Sequence, residues 1–230
     1  MMRAVVLDVG ECLVDETRRC AAWADRLGVP AHLLGRPRRR ARRRWRVRGR
    51  LRGGPPRLRR LGGRAARAEA GAPQDTYTEA DLYADVRPAL AALRADGLMV
   101  GVADNLTAHG ADMLRGLLAE EIELVAASEE WGAAKPDPAF FRRLAGSLPF
   151  APGEILYVGD RWPYDIRPAA EAGLRTALVR RGPWAVLDWE SEEARTLPDF
   201  RIGGLLELSG LILNANAGGA GTSAQSSTEG

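Results

Sequence analysis

Three short apolar runs, RAVVLDV (residues 3–9), LMVGVADN (98–105) and EILYVGD (154–160), each close on an aspartate or one residue past it. Runs of this length that are apolar without alternation fit strands covered on both faces, which is the environment of a parallel sheet. IELVAAS (122–128) and RTALVRR (175–181) are two more of the same kind. Between the runs the period changes to that of a helix. ETRRCAAWADRLG spaces Cys20, Trp23, Ala24 and Leu27 helically and stops at Gly28. DVRPALAALRADG puts Val86, Leu90 and Leu93 on one face, with Asp85 as N-cap and Gly97 as the stop. Met113, Leu114, Leu117 and Leu118 mark another helix, one runs from about Pro138 to Leu148, and one ends near Gly173. DFRIGGLLELSGLI supplies a last strand and helix. This alternation predicts an α/β fold, a three-layer doubly wound parallel sheet. The small, polar end, residues 214–230, is expected to be disordered.

Whole classes of function fall away on composition. No segment approaches the roughly 18 apolar residues of a spanning helix. The opening MMRAVVLDVGECLVDE has too short an apolar stretch for a signal peptide, so no membrane partner and a cytoplasmic location are expected. Cys12 and Cys20 offer neither a disulfide framework nor a zinc-ligand set, and are read as buried or inert thiols. His32 and His109 are the only histidines, which argues against a Ser-His-Asp or multi-histidine site. A metal here would be held by carboxylates, and that points to Mg²⁺.

In open parallel sheets ligands bind beyond the carboxyl ends of the strands. The predicted strand ends carry Asp8, then Asp104 with Asn105, then the loop holding Lys135, then Asp160 with Asp165. Each has an ordinary explanation alone, as a turn former, a helix cap or a solvated loop residue. Together they are hard to ascribe to chance, because Lys135 is the one lysine among 33 basic residues.

VVLDVGECLVDE, AAKPDPAFF and ILYVGDRWPYDIRPAAEAG resemble the first, third and fourth motifs of the haloacid dehalogenase-like (HAD) hydrolases, in the branch with a helical cap inserted after the first strand. The resemblance covers roughly residues 1–30 and 75–212. It implies a core of residues 1–15 and 86–213 and a cap insertion over 16–85. It further implies a Mg²⁺-dependent phosphohydrolase acting on a small phosphorylated substrate. Asp8 would be the nucleophile that forms an aspartyl-phosphate, and Lys135 would neutralise the nucleophile and the transferring group. Asp8, the Gly10 backbone carbonyl and Asp160 would hold Mg²⁺, with Asp165 holding the metal's water shell or orienting Lys135.

Two positions depart from the family pattern. Gly10 stands where most of its phosphatases have a general-acid Asp, and losing such an acid typically costs on the order of 10²- to 10⁴-fold in rate. Glu11, one position on, is not assigned the role. Asp104 stands where a Ser or Thr usually donates to the phosphoryl oxygen; a carboxylate repels it, and the Asn105 amide is the remaining donor nearby. Both departures favour substrates with good leaving groups, such as acyl or aryl phosphates. They also leave open a catalytically impaired relative, and the absence of the second Asp leaves open a dehalogenase. GDRWPYD keeps the acidic pair that a metal requires, which favours the phosphate reading.

The insertion is unusual. Arg36 to Arg67 holds 16 arginines and no acid within a chain of net charge +3, leaving the remainder strongly acidic. Trp45, Val47, Leu51, Leu58 and Leu61 follow no helical period there, and like charges repel. A nucleic-acid-binding arm would use such arginines on phosphates with Trp45 stacking, but no nucleic-acid motif frames the tract. The favoured reading of residues 32–67 is a translated reading-frame slip in a GC-rich gene, which yields Arg, Gly and Pro in excess. A basic arm and a solvated insert are the alternatives.

Overall fold

The computed structural model describes residues 1–28 and 76–220; the arginine tract lies outside them. The chain divides into one unit of Met1–Asp15 with Asp75–Gly230 and a second of Glu16–Gln74. In the second unit, helix α1 (Thr17–Leu27) is described, and it ends on Gly28 at φ 62°, a left-handed cap that glycine adopts without steric cost.

In the first unit, among the described residues, six strands form one sheet: β1 (Ala4–Leu7), β2 (Met99–Asp104), β3 (Leu124–Ala127), β4 (Ile155–Gly159), β5 (Arg175–Val179) and β6 (Phe200–Ile202). Their order is β3-β2-β1-β4-β5-β6 and each pairing is parallel, as the apolar runs predict. The crossovers carry α2 (Val86–Ala95) before β2, α3 (Ala108–Leu117) before β3, and α4 (Ser128–Trp131) with α5 (Pro138–Ser147) before β4. A π-type turn (Trp162–Ile166) runs into α6 (Arg167–Glu171) before β5. The short helices α7 (Gly182–Asp188) and α8 (Glu192–Thr196), which no clear periodicity marked, precede β6. Helix α9 (Glu207–Ala220) runs seven residues into the segment read as a disordered tail, and residues 221–230 lie outside the described ones.

Both sheet faces are covered, which is why the strands read as unbroken apolar runs. Val5 and Leu7 of β1 pack with Val100, Val102, Leu156, Val158, Leu90 and Leu93 on one side. Ala4 and Val6 pack with Tyr157, Phe140 and Phe141 on the other. Each fully buried Val or Leu contributes about 1.5–3 kcal/mol relative to exposure. Strand order reverses between β1 and β4, so their carboxyl ends open the crevice where this architecture binds ligands. Leu7 lies opposite Val102 and Val158, so Asp8, Asp104 and Asp160 all fall at that edge.

Asp85 occupies the predicted N-cap position of α2, but its side chain makes no capping bond. Instead its Oδ2 accepts from the Leu205 N–H at 2.8 Å and from Arg181. The Arg181 guanidinium also donates to the Cys12 carbonyl at 2.6 Å and lies 4.4 Å over the Tyr83 ring. One arginine thus ties the residues after β5 to the turn after β1 and to the start of α2.

Candidate active site

Asp8 leaves β1 with its N–H bonded to the Val158 carbonyl at 2.8 Å, so β4 fixes the first residue of the site. Beyond it the chain makes a tight turn in which Val9 accepts from Leu13 and Val14, both at 2.9 Å. Glu11 sits in the left-handed region at φ 54°. That conformation turns its carboxylate toward Tyr83, whose hydroxyl donates to Oε2 at 2.6 Å. Burial and this hydrogen bond push the Tyr83 phenol up, so it remains a donor. Glu11 is therefore engaged with Tyr83. The returning chain is zipped to the same turn: Asp15 donates to the Asp81 carbonyl at 2.8 Å and Tyr83 to the Leu13 carbonyl at 3.0 Å.

Lys135 lies in the loop between α4 and α5 and is 7% exposed, a cation taken out of water. Its Nζ lies 2.6 Å from Asp8 Oδ1, 2.7 Å from Asp165 Oδ1 and 2.9 Å from Asp104 Oδ1. Burial disfavours its charge, but Asp104, Asp165 and Asp8 outweigh burial and hold the ammonium well above its usual range. Tyr157, a polar-tipped residue inside the apolar run of β4, stands 3.2 Å from the same Nζ while donating to the Ala103 carbonyl at 2.8 Å. Sequence reasoning passed over it; the signal was a phenol in a buried strand, where its hydroxyl needs a partner.

Asp165 is 1% exposed, and its second oxygen accepts from the Arg161 N–H at 3.0 Å. It can sit there only because residue 159 is glycine: a Cβ on Gly159 would lie 2.5 Å from Asp165 Cβ. Asp160 is 2% exposed, and its Oδ2 has no hydrogen-bond partner among the described residues. Asp8, Asp160 and Asp165 offer ligand oxygens within 4.8 Å of one another. Burial and then the Asp104 charge push the Asp8 carboxyl well above its usual value, with Lys135 opposing. Burial and then Asp165 raise Asp160 likewise. Burial also raises Asp104, yet the Lys135 ammonium and the Asn105 N–H bring it below its usual value.

Asp8, Asp104, Lys135, Asp160 and Asp165 thus meet at one crevice, while Asn105 lies beside it. Its Oδ1 accepts from the Lys135 N–H at 2.7 Å and its Nδ2 donates to the Lys135 carbonyl at 3.0 Å. The amide brackets the lysine's main chain instead of reaching into the crevice. Asp137 caps α5 by accepting from Ala139 N–H at 2.8 Å, with Pro138 at the first helical position, so AAKPDP is at once a lysine loop and a helix start. Cys12 is fully buried and burial raises its thiol, in keeping with an inert role.

The sequence profile of haloacid dehalogenase-like hydrolases matches residues 2–173. A glyceraldehyde 3-phosphate phosphatase of Methanopyrus kandleri is 37% identical over 122 residues, 52% of either chain. A phosphoserine phosphatase of Thermus thermophilus is 35% identical over 132 residues, 55% of this chain and 49% of that one. The chain spans about half the length of these relatives. Among solved structures, a haloacid dehalogenase-like hydrolase of Bacteroides fragilis superposes with a TM-score of 0.62 at 20% identity, covering 90% of this chain and 100% of that one, a likeness of fold. Among the described residues no helix is long and apolar enough to cross a membrane.

Proposed function

Because the chain belongs to the haloacid dehalogenase-like hydrolases, we propose that it is a Mg²⁺-dependent phosphohydrolase in which Asp8 takes the phosphoryl group from a small phosphorylated metabolite. The observation that carries this reading is the charge balance of the crevice: three carboxylates, of Asp8, Asp104 and Asp165, meet one ammonium, and a fourth, of Asp160, lies within ligand reach of Asp8 and Asp165. Such an excess of buried negative charge calls for a divalent cation. The donor set fits one, being all oxygen, with the partnerless Oδ2 of Asp160 beside Asp8 and Asp165. Asp8, Asp160, Asp165 and the Gly10 carbonyl would hold it. When bound, Mg²⁺ favours the ionised form of Asp8 and offsets the charge of the phosphate.

The Asp8 carboxylate attacks phosphorus, the ester P–O bond breaks, and the phosphoryl group passes to Asp8 as an acyl phosphate. Water then cleaves that acyl phosphate and restores the carboxylate. Lys135 neutralises the nucleophile and the transferring oxygens; Asp165 fixes its ammonium and Asn105 its main chain. Gly10 offers no proton to the departing oxygen, so that proton comes from solvent, and acyl or aryl phosphates are the favoured substrates. The relatives' names, glyceraldehyde 3-phosphate phosphatase and phosphoserine phosphatase, support a small phosphorylated metabolite as the substrate.

The test is aryl-phosphate turnover with and without Mg²⁺ in the parent and in Asp8→Asn. Loss of turnover in the variant and on chelation is expected; equal rates in the two proteins remove Asp8 as nucleophile. Gly10 and Asp104 favour a second reading, a family member retaining fold and metal but not catalysis. It predicts Mg²⁺ binding without turnover in the parent.

A further inference from the structure

An ammonium has three N–H donors. Those of Lys135 go to Asp8 Oδ1 at 2.6 Å, Asp165 Oδ1 at 2.7 Å and the buried Tyr157 hydroxyl at 3.2 Å, and Asp104 Oδ1 closes in on the same ammonium as an ion pair at 2.9 Å. A phosphoryl group that is to be held by this lysine needs one of the three carboxylates to let go. Asp165 is the least able to: its side chain is 1% exposed, its second oxygen is held by the Arg161 N–H, and it packs against Gly159. Asp8, with a side chain 6% exposed, is the reacting group of the proposed function. Asp104 differs from both. Its side chain is the most open of the three at 18%, it stands at the exit of β2, and its other oxygen meets the Gly10 N–H only at 3.5 Å.

The donors gathered on Asp104 are those an incoming anion would use. They are the Lys135 ammonium, the Gly10 N–H beside the nucleophile, and the Asn105 N–H at 2.6 Å. We propose that Asp104 is a tethered anion seated in the phosphoryl cradle of the free protein, which a dianionic phosphate must displace before it can bind. The inference builds on the phosphohydrolase reading and adds a specificity determinant to it. By occupying the cradle and repelling what replaces it, Asp104 keeps affinity for simple phosphate dianions low. Selection is thereby shifted to the rest of the substrate, whose contacts must supply the energy for the displacement.

The experiment is isothermal titration of inorganic phosphate into the full chain at saturating Mg²⁺, for the parent, Asp104→Asn and Asp104→Ser. Asp104→Asn keeps the side-chain shape and removes its charge, so it serves if the serine variant fails to fold, and thermal melts establish which variants are native. A phosphate Kd at least tenfold tighter in the folded variants is expected, equivalent to about 1.4 kcal/mol. Mg²⁺ affinity should not weaken. A Kd that does not tighten, including no detectable binding in any of the proteins, overturns the tethered anion. The functional reading fails separately. If phosphate tightens in the variants while aryl-phosphate turnover does not depend on Asp8, the tethered anion stands and the hydrolase does not. Unchanged phosphate binding with Asp8-dependent turnover gives the reverse.

Discussion

Gly159→Ala isolates the contact that lets the fourth strand and the acidic turn share space. The backbone of Gly159 is outside the left-handed region, so alanine suffers no conformational penalty there. The added Cβ would lie 2.5 Å from Asp165 Cβ, 2.6 Å from its Cγ and 2.9 Å from its Oδ2. Ordinary contact begins near 3.4 Å, so Asp165 must retreat by nearly 1 Å. Overpacking of a filled interior costs about 1–3 kcal/mol. Replacing glycine within a strand returns about 0.5–1 kcal/mol, leaving a net loss of up to about 2.5 kcal/mol. For a chain of this size that lowers Tm by up to about 10 °C. The functional effect is the larger one, because Asp165 carries one of the three bonds to Lys135. A displacement of about 1 Å in positioned groups costs on the order of 100-fold in turnover. Differential scanning calorimetry and aryl-phosphate kinetics on the same preparation measure both. A variant with parental kcat and a Tm within a degree of the parent refutes the claim that Asp165 depends on the missing side chain.

Three further outcomes follow from the same geometry. Asn105→Ala removes both hydrogen bonds to the Lys135 main chain from an exposed residue; kcat should fall about 10- to 100-fold while Tm moves little, and equal losses in the two would make Asn105 merely structural. Mg²⁺ at 100 times its Kd should stabilise the protein by about 2.7 kcal/mol, raising Tm by about 5–10 °C, and Asp160→Asn should abolish the shift in a thermal melt. Asp85 is raised by burial but lowered overall by Arg181 and the Leu205 N–H, so its pairing stabilises the fold above its unfolded value of 3.8 and is lost as pH falls through the still lower folded value. Urea unfolding should show Asp85→Asn less stable than the parent by about 1.5–3 kcal/mol at pH 7, with the gap closing below pH 3.8; a gap independent of pH would show that the charge is not what matters.

What could be read from the chain alone was what local chemistry encodes. Apolar runs without alternation named strands covered on both faces, and Gly28 and Gly97 marked helix ends that are left-handed in the structure. Asp8, Asp104, Lys135, Asp160 and Asp165 stood out because charged residues at the ends of buried strands need a reason to be there. The short helices α7 and α8 escaped notice because five to seven residues carry too little period to stand out. The tail was misjudged over residues 214–220 because its small residues carry little helical signal, whereas Asn216, which accepts from the Met2 N–H at 2.6 Å, ties that stretch to the N-terminus.

Side-chain direction was the part that only packing decided. Asn105 and Asp85 stood out by position, but their bonds to the Lys135 main chain and to Leu205 and Arg181 did not, because a residue's position in an element does not say which distant main chain it will meet. Arg181 gave no sign at all, being one of two consecutive arginines after a strand, yet it bonds Cys12 and Asp85 from across the fold. Residue types and their order along the chain determined the sheet, its active edge and the charges delivered there. Which carboxylate holds which proton donor was settled by the crossing of β1, β2 and β4, since hydrogen bonds depend on separations of a fraction of an ångström that no periodicity records.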